Sequence, residues 1–363
     1  MDAQARERTA RDRVRAQLHT DDDRLVRSVV TRTVMFVVAI LLLELGFIAS
    51  YAGALHAPAP SRVPVAAVAP ASAFDDLAAE LRQAGAPVQL QPAPATRSAT
   101  NQLRTGQVFA VIVVEPARLQ LLVASASGAA VVPEVEAVFS GVAAAAHLPL
   151  TVQDVAPLPA ANARGLVQFY FVVGLVIGGY LLSVVLGLGG GMTPGTPRRG
   201  VRRLGVLVLY SVVSAVLALL IVDQGFGYQS GHVAGLAALA ALLVFSVGAF
   251  TMALNAALGL IGTWLVIILF VILGNPSAGG AWPNILLATP WRQFGPWLPN
   301  GAGLDATRSI LFLGSYDVRA PVLVLAGYAL AGVAGVMLMS YRGRPLVSIT
   351  AEPSKTELAG LDA

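Results

Sequence analysis

Residues 232–274 read HVAGLAALAALLVFSVGAFTMALNAALGLIGTWLVIILFVILG, and no Asp, Glu, Lys or Arg occurs anywhere between Asp223 and Arg292. A helix crosses a bilayer with about 20 apolar residues, so this run is long enough to cross twice, turning near Asn255–Gly259. Outward from it, apolar segments of similar length recur at 34–55, 166–189, 204–222 and 320–341, with Glu44 the only charge inside them. The expected fold class is an α-helical integral membrane protein with six transmembrane helices and an inserted extracytoplasmic α/β domain.

Composition agrees. The 363 residues are 56% hydrophobic and 12% charged, with a mean hydropathy of +0.72, whereas soluble domains carry charge at roughly a quarter of positions. The net charge of +4 is a matter of placement. Eight of the 24 basic residues fall in 1–33, four in 192–203 and three after Tyr341. A six-span chain puts these three segments on one side, and Lys/Arg bias marks that side as cytoplasmic. Both termini are therefore expected in the cytoplasm of a cell-membrane protein, and nucleic acid is not an expected partner. The first apolar run exceeds the h-region of a signal peptide, about 7–15 residues, and reads as an uncleaved anchor. Ahead of it, Leu25, Val26, Val29 and Val30 share one helical face, as in a segment lying on the inner leaflet.

Residues 56–165 are polar enough for an outer domain. Strand-like runs occur at Val63–Val68, Val88–Leu90, Val108–Val114, Leu119–Val123 and Thr151–Val155, with helix-like runs at about 72–84, 97–105 and 132–147. Such alternation predicts an α/β module. The remaining parts are a five-helix transmembrane domain at 166–341, with a re-entrant-like outer loop at 275–319, and a cytoplasmic tail at 342–363.

Few residues carry chemistry. With no cysteine and only four scattered histidines, the chain offers no metal-ligand spacing and no nucleophile with a His partner, so it is not expected to be an enzyme or to hold a cofactor. GLGGGMTPG (187–195) lacks the GxxxxGK[ST] order of a phosphate loop. Glu44 lies about 15 Å into its span at 1.5 Å per residue. A central carboxylate costs about 2.5–3.5 kcal/mol on insertion scales, and the eleven Val, Phe, Ile and Leu residues from Val34 to Ile48 return about 3–6. The span still inserts, and its acid is either a substrate- or proton-facing group or a neutral glutamic acid bonded to a neighbouring helix. A proton-coupled carrier centred on Glu44 would be expected to show internal repeats, and none is visible. The loop NPSAGGAWPNILLATPWRQFGPWLPNGAG (275–303) holds five prolines and three of the four tryptophans. It suggests short broken helices at the outer mouth, lining a path or merely anchoring the interface. Gly174 with Gly178, and Gly327 with Ala331 and Gly335, form small-residue ridges suited to close helix contact.

Four stretches carry a resemblance: YAGALHAPAPSRVPVAAV (51–68), DVAPLPAANARGLVQFY with the later GGY (154–180), LGNPSAGGAWP (273–283) and FGPWLPNGAGLDATRS (294–309). Through them the chain resembles ABC-2-type transporter permeases of the phage-infection-protein-like branch. The resemblance implies a homodimeric permease half that moves an amphiphilic or hydrophobic compound outward through membrane lipid, with ATP hydrolysis on a separate cytoplasmic subunit. Inner contacts would map to about 14–30 and to 192–203, where Arg198, Arg199, Arg202 and Arg203 meet the ATPase or simply hold topology. Glu44, Asn275, Pro276, Ser277, Gly279, Gly280, Trp291, Pro299, Gly301 and Arg308 would line or gate the exit. The alternative is a non-transporting envelope scaffold, secretion-accessory or receptor-like protein acting through its outer domain.

Overall fold

Valine, leucine and alanine recur at every second position of the strand-like segments, so each strand presents an apolar row to one side of a sheet. In the computed structural model, which describes residues 34–55, 62–226, 232–314 and 318–342, these segments form one five-stranded sheet. Its strands are β1 (Val63–Val68), β2 (Val88–Pro92), β3 (Ala110–Glu115), β4 (Arg118–Val123) and β5 (Leu150–Asp154), ordered β2-β1-β3-β4-β5. β1 runs parallel to β2 and β3, and β4 parallel to β5, while β3 and β4 form a hairpin. Parallel neighbours need a crossover, supplied by α2 (Ala71–Gln83), α3 (Thr96–Arg104) and α5 (Val132–Ala145); α4 (Ser125–Gly128) is a single turn after β4. Leu77, Leu81, Val135 and Phe139 bury one face of the sheet over Val65, Ile112 and Leu121. Ala99 and Leu103 of α3 cover Ala66, Val111 and Leu122 on the other. All five strands and the three crossover helices stand within two residues of the expected runs.

Six helices are long and apolar enough to cross a membrane: α1 (Val34–Leu55), α6 (Val167–Gly190), α7 (Pro197–Phe226), α8 (Val233–Leu258), the composite helix Leu260–Ser277, and α13 (Arg319–Tyr341). The composite consists of α9 (Leu260–Val266), a π-helical stretch Ile267–Gly274 and α10 (Asn275–Ser277). The chain divides into two compact units, Met1–Tyr51 and Ala52–Ala363. In the first, the rings of Phe47 and Tyr51 stack at 4.1 Å. The amphipathic segment expected over 14–30 and the tail at 343–363 lie outside the described residues.

In the second unit α8 is the hub, packed against α6, α7, α9 and α13. Its neighbours approach through small residues. A Cβ on Gly179 would strike the Val244 carbonyl, and one on Gly332 the Ala249 backbone, while Ser183 Oγ donates to the Gly248 carbonyl at 2.7 Å. These contacts shift the expected ridges. Gly178 sits under Tyr210, whereas Gly174 and Gly327 face open space. On α13, Gly332 and Gly335 meet α8, because the ridge that packs starts one residue on from Ala331. The turn expected near Asn255–Gly259 falls at Gly259, and Thr263 Oγ1 then donates back to Asn255 Oδ1 at 3.0 Å.

The segment 191–203 corrects a second expectation. The expected spans 166–189 and 204–222 leave 190–203 between them, but only residues 191–196 link α6 to α7, and Pro197 opens α7 with the arginines on its first two turns. Proline suits the first position of a helix, where its missing N–H leaves no bond unmade.

Candidate functional site

Two polypeptide segments cross where the sheet meets the helical layer. The first follows the π-helical stretch through Asn275–Gly280; the second is the start of α12 (Pro299–Phe312), reached through the short turns Asn284–Leu286, α11 (Trp291–Phe294) and Gly295–Trp297. Proline and glycine break the chain into these turns, and their small size lets the segments interlock. A Cβ on Gly301 would collide with the Gly295 carbonyl, and one on Gly295 with the Ser277 carbonyl, so backbone lies on backbone through three layers.

Inside the crossing is a polar cluster. Asn300 Nδ2 donates to Asn275 Oδ1 at 2.7 Å and to the Phe270 carbonyl at 3.0 Å, within the π-helical stretch. A π-helical turn is a frequent companion of functional sites. Arg308 Nη2 donates to the Gly279 carbonyl at 2.8 Å. Asn300 and Ser277 are wholly buried, and Asn275 and Arg308 are 8% exposed. Ser277 Oγ, Asn300 Oδ1 and Arg308 Nε have no hydrogen-bond partner. Leaving buried polar atoms unpaired costs about 1–3 kcal/mol each, so this cluster carries more polarity than packing alone requires.

A cavity of about 560 Å³ opens beside it, lined among others by Arg308, Asp305, Arg292, Asn284 and Ser309, with Thr105 and Ser127 from the sheet layer. Asp305 remains exposed at the cavity mouth, yet desolvation pushes its carboxyl up to about 6, with Arg308 pulling the other way. Burial likewise pushes the Arg308 guanidinium down from its ordinary value, against the pull of Asp305.

The sheet layer is seated on this crossing. Leu286 belongs to the core of one sheet face, with Trp282 and Ile285 packed against it; Leu313, flanked by Phe312, belongs to the core of the other. Trp282, one of the tryptophans read as lining a path or anchoring the interface, packs against the sheet core, next to Pro283, which lies against Gly128 of α4. Trp297 is 72% exposed.

Of the expected path residues, Asn275, Pro276, Ser277, Gly279, Gly280, Pro299, Gly301 and Arg308 are all buried in this one region, and Trp291 is half-buried beside it. Glu44 belongs to the other unit, exposed on α1. The four arginines do not act as a set. Arg198, Arg199 and Arg202 are exposed, whereas Arg203 is 8% exposed and donates to the Gly190 carbonyl at 2.6 Å. Arg203 thus closes the C-terminal end of α6, where carbonyls lack helical partners and a cation is favoured, and it is withdrawn from any surface contact. Sequence reasoning missed Asn300 and Asp305. The signal for Asn300 was the pairing of NPS (275–277) with PNG (299–301), two Asn–Pro neighbours in opposite order.

A second cavity, of about 760 Å³, lies between α6 and α7. Phe171, Leu175, Val213 and Leu217 line it, with Asn162 and Arg164 at the end next to the sheet layer. Asn162 holds that end, its Oδ1 accepting from the Val167 amide at 3.0 Å. Among the described residues no group of three His, Cys, Asp or Glu could hold a metal ion. Comparisons with protein-family models, curated proteins and solved structures return no match.

Proposed function

We propose that this chain is the permease subunit of an ABC-2-type exporter that moves an amphiphilic or hydrophobic compound across the cytoplasmic membrane, with ATP hydrolysis on a separate subunit. The observation that carries this reading is the apolar cavity between α6 and α7, capped at one end by Asn162 and Arg164. A chamber lined by aromatic and aliphatic side chains with a few polar groups at its rim suits an amphiphile. Beyond that rim its walls carry only the hydroxyls of Tyr170, Tyr210 and Ser214.

In this reading the sheet layer is extracytoplasmic and the start of α7 faces the cytoplasm. Arg198, Arg199 and Arg202 stand exposed at the N-terminal end of α7, where a helix dipole disfavours cations by about 0.3–1 kcal/mol each. That cost calls for a compensating anionic neighbour, which is either inner-leaflet phosphate or the ATPase subunit. A homodimer follows from the resemblance to ABC-2 permeases.

One observation favours the scaffold alternative. The sheet layer shares cores on both faces with the crossing, which makes a rigid platform as suited to holding a partner as to gating an exit. Gentle purification of the tagged full chain from its own membranes, followed by mass spectrometry, tests the choice. A stoichiometric nucleotide-binding subunit, lost when Arg198, Arg199 and Arg202 become Gln, is the expected result. An envelope partner with no ATPase would replace the exporter by the scaffold.

A further inference from the structure

The polar cavity beside the crossing has an apolar neighbour. A third cavity, of about 600 Å³, is lined by Ala302 of α12, by Pro321, Leu323, Val324, Gly327 and Tyr328 of α13, and by Trp297. Three residues, Pro296, Asp305 and Pro321, belong to both walls. A polar chamber with two arginines thus adjoins an apolar chamber that runs along the first turns of a span-length helix. Between them stands one carboxylate, Asp305.

Arg308 is the group that distinguishes this from a packing void. It is more than nine-tenths buried, only its Nη2 is occupied within the protein, and it lines the polar chamber with Nε unpartnered. Guanidinium presents a planar fork of donors that matches carboxylate and phosphate oxygens. An anionic head in the chamber would lie against this guanidinium charge, and its alkyl chain would enter the adjoining apolar space.

We propose that these two cavities form one binding site for an anionic amphiphile, with a carboxylate or phosphate head at Arg308 and an alkyl tail against Trp297, Val324, Gly327 and Tyr328. The site rests on the exporter reading in one respect, that the bound compound is cargo; it would give that cargo a sign of charge. Because Thr105 and Ser127 also line the polar chamber, the head is within reach of the sheet layer.

Trp297 in the apolar wall allows a direct test, since bromine on an acyl chain quenches a tryptophan it touches. The full-length protein in lipid nanodiscs is titrated with 12-bromododecanoate, 12-bromododecyl phosphate and 12-bromododecyltrimethylammonium. Saturable quenching by one or both anions, and weaker by about tenfold or more for the cation, is expected. Quenching by the phosphate alone would identify a phospholipid-like ligand, and by the carboxylate alone a fatty-acid-like one. Arg308→Gln should weaken anion binding by about tenfold. Gly327→Leu provides a second variant, at a position where a Cβ meets nothing within 4 Å; it places a side chain in the apolar chamber and should weaken the saturable phase. Equal quenching by cation and anions, or unchanged titrations in both variants, would overturn the site. Charge-selective binding without a co-purifying ATPase would leave the site standing and remove the exporter. An ATPase partner with charge-blind quenching would do the reverse.

Discussion

Arg203 and Arg308 stand at opposite ends of the helical layer, each 8% exposed and each donating to a glycine carbonyl. The resemblance stops there. Arg203 closes the last turn of α6 at Gly190, a position where the charge meets the negative end of a helix dipole, and no cavity adjoins it among those described. Arg308 holds Gly279 with one nitrogen, keeps Nε unpartnered and lines a chamber of about 560 Å³. Equal burial therefore conceals different work. One arginine completes a helix end, and the other holds two chain segments together while lining a space large enough for a ligand head.

The contrast extends to the backbone around each arginine, and there the largest effect is expected. At the Arg308 end glycines let the segments lie backbone on backbone. Gly301→Ala drives a methyl group into the Gly295 carbonyl, which backbone cannot yield as a flexible side chain would. Overpacking of this kind costs about 1–3 kcal/mol, a large share of a stability of about 5–15 kcal/mol. At the other end, Gly189 lies in α6 with nothing within 4 Å of its would-be Cβ. Gly189→Ala should stabilise by about 0.5–1 kcal/mol through helix propensity. Thermal unfolding of the two variants in the same detergent checks the pair. Similar midpoints would mean that the crossing is looser than its geometry implies.

The two ends also differ in how far they could be read from sequence. Strands such as Val63–Val68 and Leu119–Val123 were legible because alternation is local and each face is buried. The spans were legible because length and apolarity are local too. The start of α7 was not: Gly191, Pro194 and Gly195 signal a loop, and only the structure shows that helix resumes at Pro197. The polar cluster was half legible. Asn275, Ser277 and Arg308 were expected at the exit through the resemblance, while the broken, Pro/Gly-rich loop marks irregular backbone but not its partners. Asn300 pairs with Asn275 across 25 residues, a contact set by the crossing rather than by any periodicity. The packing of Trp282 was not legible for a related reason, since it depends on a sheet core built from distant residues. Glu44 drew attention as a lone charge in a span, a signal that carries no information about what it faces.

An intermediate effect separates the two arginines by readout. Arg203→Gln removes a charge-assisted hydrogen bond worth about 1.5–3 kcal/mol; it should lower the unfolding midpoint while leaving bromoalkyl quenching at its wild-type affinity. Arg308→Gln also strands the Gly279 carbonyl and should cost stability of the same order, but it alone should weaken anion binding. Measured together, stability and quenching form a two-by-two comparison. Loss of binding in both variants would trace the effect to general loosening and dissolve the distinction drawn between the two ends.

The smallest effect is electrostatic and belongs to the Arg308 end alone. Asp305 shares its cavity with Arg308 and Arg292, and desolvation pushes its carboxyl up to about 6 against the pull of Arg308. An unfolded aspartate titrates near 4, so the folded protein binds this proton more tightly than the unfolded chain does. Its contribution to stability is then fully present below about pH 4 and is lost as pH rises through about 6. Because the carboxylate is exposed at the cavity mouth, solvent screening keeps this slope shallow. Asp305→Asn removes the titration while keeping the side chain's size, so the difference in unfolding midpoint between wild type and variant should grow in favour of the variant from pH 4 to pH 6.5 and level off above. A difference independent of pH would mean that Asp305 is ionised throughout that range. The polar chamber would then hold its carboxylate as a fixed counter-charge, and its effect on a ligand head at Arg308 would be the same at every pH tested.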